Sequence, residues 1–149
     1  MSIRTIVLTA LLSIGLVVSG LAGPASPASA ATSLEKRMIS KINQARARHG
    51  VGPVQLNRGL VRTARAHTTE MTGQRTLFHT PTFSSVCCWQ AIAENVGTGT
   101  SVRGLHRAFM GSPGHRANLL NPRMTQVGVG IVSDGTSLWV TELFRQPAA

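Results

Sequence analysis

The sequence predicts an α+β fold, a three-layer α–β–α sandwich around a central antiparallel sheet, from three observations. Apolar residues recur at helical spacing in three runs between Leu34 and Phe109. After Asn121-Pro122 the period changes to two, with Val127, Val129 and Ile131 alternating with Gly128, Gly130 and Val132. The strand that closes this hairpin is apolar on both faces, Leu138, Val140 and Phe144 on one and Trp139 and Leu143 on the other. A sheet of that kind must be covered on both sides.

The elements follow in chain order. Residues 1–30 read as a secretory signal peptide: Arg4 precedes an apolar run from Ile6 to Val18, and Ala28-Ser29-Ala30 has the small-x-small pattern of a cleavage site. The run is too short for an anchor, since a span takes ~20 apolar residues. Export, cleavage near Ala30, and a mature form (residues 31–149) that is one domain without a transmembrane segment are therefore expected. Thr32-Ser33-Leu34-Glu35 is a capping box, and Leu34, Met38, Ile42 and Ala45 make the stripe of a first helix that ends at Gly50. Asn57 caps a second helix, with Leu60, Ala64, His67 and Met71 on its apolar face and Gly73 closing it. Residues 74 to 90 read as a loop held to the core by Phe83 and Trp89, and 91 to 96 as about one helical turn. Residues 97–101 read as a flexible link ending in the N-cap Ser101. A third helix follows, with Val102, Leu105 and Phe109 inward. Ser112 is a good N-cap, Pro113 suits the first position of a short helix, and Gly114 lets other backbone approach. Asp134-Gly135 is a hairpin signal.

The formal net charge is +10, with only five acids: Glu35, Glu70, Glu94, Asp134 and Glu142. A basic balance suggests nucleic acid first. Expected export, the absence of tyrosine and the scatter of the arginines argue against it. An anionic cell-wall polymer or anionic lipid is the better electrostatic partner, beside the plain alternative of a solvated basic surface. The two cysteines are adjacent, Cys87-Cys88. Their Cα atoms lie ~3.8 Å apart across a trans peptide, below the usual disulfide span. A vicinal bridge, two free thiols and an intermolecular link all remain open.

Three polar residues stand out. His115, at the mouth of the short helix, sits near a positive helix end that lowers its proton affinity, and a neutral imidazole can bind a metal or accept a hydrogen bond. His79 in Leu77-Phe78-His79-Thr80 and Glu94 in Ala93-Glu94-Asn95-Val96 are placed to meet it. Two imidazoles and a carboxylate can hold a divalent metal, zinc above others, with water completing the set. Alternatively Glu94 accepts from one histidine and fixes its tautomer, or the three form a purely structural network. His67 reads as a satisfied core or boundary histidine, His49 as a helix C-terminal cation, and His106 as a surface residue. Asn43 and Arg46 read as backbone-bonding and ion-pair anchors. Glu142 reads as a paired edge or boundary acid, so a Glu94/Glu142 glycosidase pair is a weak option, as is Cys87 acting as a nucleophile beside His79. No nucleophile-elbow serine is present.

The ordered set Asn43-Gln44-Ala45-Arg46, Leu77-Phe78-His79, Ala93-Glu94-Asn95-Val96-Gly97, Ser112-Pro113-Gly114-His115-Arg116-Ala117-Asn118-Leu119-Leu120, Gly128-Val129-Gly130 and Trp139-Val140 resembles a bacterial secreted CAP-domain protein. That superfamily joins the cysteine-rich secretory, antigen 5 and pathogenesis-related 1 proteins, and the likeness covers a core of about 34–144. It implies the three-layer sandwich and a shallow cleft in which His79 and His115 match the histidines and Glu94 the first glutamate. The second glutamate of the eukaryotic pattern is replaced by Ser112, and its preceding tryptophan by Phe109. The leading reading is a non-enzymatic extracellular binding module, and the resemblance implies lipid, sterol, glycan or protein ligands. The alternative is a metal-dependent hydrolase acting on peptide or cell-wall material.

Overall fold

The structure, a computed structural model, describes residues 32–149; the signal-peptide expectation lies outside the described residues. The helix α1 (Ser33–Arg48) begins with the expected capping box, Thr32 and Glu35 bonding reciprocally. It is followed by β1 (Gln55–Leu56), α2 (Arg58–Gln74) and β2 (Trp89–Gly99). Then come α3 (Val102–Gly111), α4 (Pro113–Leu119), β3 (Gln126–Ser133) and β4 (Leu138–Pro147). The sheet runs β1-β3-β4-β2. It is antiparallel except for the short β1, which pairs parallel to β3.

Alternation along the strands divides the core into two layers. Val127, Val129, Val140 and Phe144 face α1, α3 and α4, packing with Met38, Ile42, Leu105, Phe109 and Leu119. Leu143 faces the other way, with Leu60 and Ala64 of α2 and with Val86. The helix α2 lies almost in contact with the β3 backbone. A Cβ at Gly128 would stand 2.2 Å from the Leu60 carbonyl carbon, and one at Gly130 2.5 Å from that of Ala64. These two glycines are what allow a helix and a strand to meet so closely. The sandwich is therefore as expected, with helices on both faces of the sheet.

Several local readings are corrected. Residues 91–96 are not a helical turn but the middle of β2, which runs through Gly99 and takes in the first part of the supposed flexible link. Pairing with all of β4 supplies ladder bonds that outweigh the local preference. The helix α2 passes Gly73 and ends at Gln74, capped by Arg75, which takes the left-handed conformation, φ 51°. Trp89 is exposed and is not part of either core cluster, whereas Phe83 does pack on the α2-side core. No atom would crowd a side chain at Gly114. His106 is buried, not at the surface, and burial together with Lys41 and Arg48 lowers its pKa below 6.5.

Two anchors hold the 49–54 and 119–124 segments. Asn43 Nδ2 donates to the Val54 carbonyl and its Oδ1 accepts from the Val54 amide. Arg46, fully enclosed, donates to the carbonyls of Gly52, Leu119, Asn121 and Met124. Among the described residues Arg46 has no ion pair, contrary to expectation; carbonyl dipoles take its place. In the β3–β4 hairpin Asp134 accepts from the amides of Thr136 and Ser137 and from the Trp139 indole, which holds its carboxyl below the usual range. Cys87 and Cys88 are both free thiols, and Cys88 has φ 60°.

Candidate functional site

The site is assembled around the outer edge of β2, because β4 occupies only one side of that strand. Glu94 projects toward α2 and its neighbour Asn95 toward α4, the two-residue period placing them on opposite faces. Glu94 is buried and both of its carboxylate oxygens accept hydrogen bonds. His79 Nδ1 lies 2.8 Å from Oε1, the Thr80 amide donates to the same oxygen at 2.9 Å, and the Thr80 hydroxyl donates to Oε2. His79 itself has 64% of its side chain exposed. The carboxylate thus fixes Nδ1 as the protonated nitrogen, leaving Nε2 free toward solvent.

The loop carrying His79 is set by α2. His67 is a satisfied histidine as expected, its Nε2 2.9 Å from the Phe78 carbonyl and its ring edge-on to Phe78 at 5.0 Å. The same nitrogen lies 3.9 Å from Glu94 Oε2. His67 and Thr80 are therefore part of the site's frame. The sequence signals for them were an apolar-stripe histidine and a hydroxyl beside His79, neither specific by itself.

On the other side of β2, His115 packs on Phe109 with ring centres 4.9 Å apart. Its Nδ1 is 2.9 Å from the Ser112 hydroxyl. Ser112 is the N-cap residue by position, but its hydroxyl serves the His115 ring and caps no amide. The pKa of His115 is lowered, as anticipated, but burial is the leading cause and the charge of His79 the second. Asn118 Nδ2 reaches the Glu94 carbonyl at 3.2 Å and Asn95 Oδ1 at 2.9 Å, and Asn95 Nδ2 the His115 carbonyl at 3.3 Å. Asn118 thus gives one β2 carbonyl a donor, and the three contacts together tie α4 to β2.

Asn95 Nδ2 also donates to Glu142 Oε2 at 3.0 Å. Glu142 is no edge acid. It lies on the central strand β4, completely buried, with Oε1 unpartnered, and burial pushes its pKa up to about 8. It faces away from Glu94, since Glu94 pairs with Leu143 and Asn95 with Glu142. The two carboxylates cannot flank one bond, and the glycosidase pair is discarded. Among the described residues, no three His, Cys, Asp or Glu side chains are gathered closely enough to hold a metal ion.

A family model for the cysteine-rich secretory protein (CAP) family matches residues 39–143, most of the chain. The chain belongs to the CAP family. This CAP chain is 31% identical over 127 residues to the uncharacterized protein YkwD of Bacillus subtilis (strain 168), covering 78% of itself and 49% of that protein. It thus spans about half the length of that curated relative. Solved structures of similar fold include an outer surface protein of Borrelia burgdorferi, with a TM-score of 0.68 and 17% identity over 75% of this chain and 91% of that one. An extracellular SCP-domain protein of Bacillus anthracis gives 0.67 and 24% over 75% and 40% respectively. The venom allergen-like protein 4 of Schistosoma mansoni gives 0.67 at 7% identity over 80% and 92%. No helix of the described residues is long and apolar enough to cross a membrane.

Proposed function

We propose that this CAP domain is exported behind the residue 1–30 leader. In this reading it works outside the cell as a non-enzymatic binding module, residues 31–149, for lipid, sterol, glycan or protein ligands. The contact surface is the cleft at His79, Glu94 and His115, with the protein's positive charge favouring an anionic cell-wall polymer nearby. The observation that carries this reading is the state of Glu94. Both of its oxygens accept from His79 or Thr80, so it orients an imidazole. Ser112 stands where a second cleft carboxylate would be, and it too orients a histidine. What the cleft offers a ligand is two ring faces and their Nε2 atoms, a set suited to recognition.

A second reading rests on the same rings. With both Nδ1 atoms engaged, the Nε2 atoms of His79 and His115 are the nitrogens left to a divalent metal, with Glu94 in the outer shell. Zinc is the ion best matched to imidazole nitrogen with open positions for water. Such an ion would supply Lewis-acid chemistry toward peptide or cell-wall substrates. The test is to titrate the purified chain with sterol-containing vesicles and with peptidoglycan, with and without zinc, beside His79→Ala and His115→Ala. The binding reading expects retention on one of these surfaces, weakened at least tenfold by either substitution, and no turnover. Zinc-dependent release of peptide or sugar, abolished by His115→Ala, would replace it with the hydrolase reading.

A further inference from the structure

A cavity of about 620 Å3 lies outside the cleft, between the first half of α2, the 85–87 segment and Arg145 of β4. Its apolar wall includes Leu60 and Val86, which also belong to the α2-side core, so an aliphatic body seated there would extend that core outward. The volume is in the range of pockets that hold ligands of drug size, ~300–1,000 Å3.

Its charge is of one sign. Arg145 is held in place by the Cys87 carbonyl and by Gln126 Oε1, both neutral, so its charge meets no carboxylate. Arg62 is exposed and has no hydrogen-bond or ion-pair partner among the described residues. None of the five acids lines the cavity. Glu35 is bound to Arg65, Glu94 to His79 and Thr80, and Asp134 to its own hairpin. Glu142 is in the core, and Glu70 accepts from Gln74. The first turn of α2 also contains no acid, and the hydroxyl residues Thr63 and Ser85 stand among the lining residues.

We propose that this cavity binds an anion-headed amphiphile, a carboxylate or phosphate on an aliphatic body, with Arg62 and Arg145 on the head group and Leu60 and Val86 under the tail. None of its lining residues belongs to the His79, Glu94 and His115 set, so the proposal stands apart from the cleft reading. Arg145 is a fixed donor and Arg62 a movable one, which together suit a head group that presents more than one oxygen.

The test titrates the purified chain calorimetrically with dodecanoate, dodecyl phosphate and the neutral ester monolaurin, each below its micelle concentration. At least one anion should bind ten or more times tighter than the ester, and which anion does so assigns the head group. Arg62→Glu, at an exposed position without partners among the described residues, should weaken that binding at least tenfold. Arg123→Glu, an equal charge change at an exposed residue outside the cavity, should leave it within twofold. In a Cys88→Ser background, a saturating anion should slow alkylation of Cys87 by iodoacetamide at least fivefold. Equal affinity for the neutral ester, equal effects of the two arginine substitutions, unprotected Cys87, or no binding of either anion would each overturn the proposal.

Discussion

Replacing Glu142 by glutamine should stabilise the protein at alkaline pH and leave it nearly unchanged in mild acid. The carboxyl is completely buried, and burial raises its pKa from 4.5 to about 8, with the Asn95 amide opposing that rise. Between those values the unfolded chain has released the proton and the folded one still holds it. Stability therefore falls as pH climbs from about 4.5 and levels off above about 8. At ~1.4 kcal/mol per pH unit, the full loss is on the order of 4–5 kcal/mol. Glu142→Gln keeps an acceptor for Asn95 Nδ2 and has no proton to lose, so it should recover most of that energy at pH 8 and little at pH 5. Urea unfolding of both proteins at pH 5, 6.5 and 8 measures the difference directly. A gap between wild type and variant that does not widen with pH would refute the claim that the acid is folded in its neutral form.

The acid limb should carry the opposite slope. His106 and His115 have folded pKa values lowered from 6.5, so the unfolded chain binds protons more readily and stability falls as pH drops below 6.5. Thermal melts from pH 7 to 5 in the Glu142→Gln background should show this decline, and a flat profile would contradict it. Gly128→Ala, which drives a methyl into the Leu60 backbone, should cost ~3 kcal/mol or more, read as a lowered urea midpoint. Arg46→Met leaves four carbonyls without their donor and should cost about 3–5 kcal/mol by the same assay. Nitrogen-15 NMR should find His79 protonated at Nδ1, and Glu94→Ala should turn it into a mixture of tautomers.

The sequence by itself determined the three long helices, though not their exact ends, the closing hairpin, and the two-sided burial of its sheet. Each is written in a local period or a cap: Thr32 with Glu35, Asn57, Ser101, and Asp134 before Gly135. It also singled out His79, Glu94 and His115 by their order along the chain. Only the tertiary structure decided β2, since six residues with two polar members in the middle become a strand when β4 lies alongside, and no local signal encodes that partner. It likewise decided that Glu94 and Glu142 face opposite sides of the sheet, because the register between β2 and β4 sets which neighbour each one meets. The parts played by His67, Thr80, Asn95 and Asn118 depend on contacts between segments far apart in the chain. A hydrogen bond of that kind leaves no spacing in the sequence, because its geometry exists only after the core has packed.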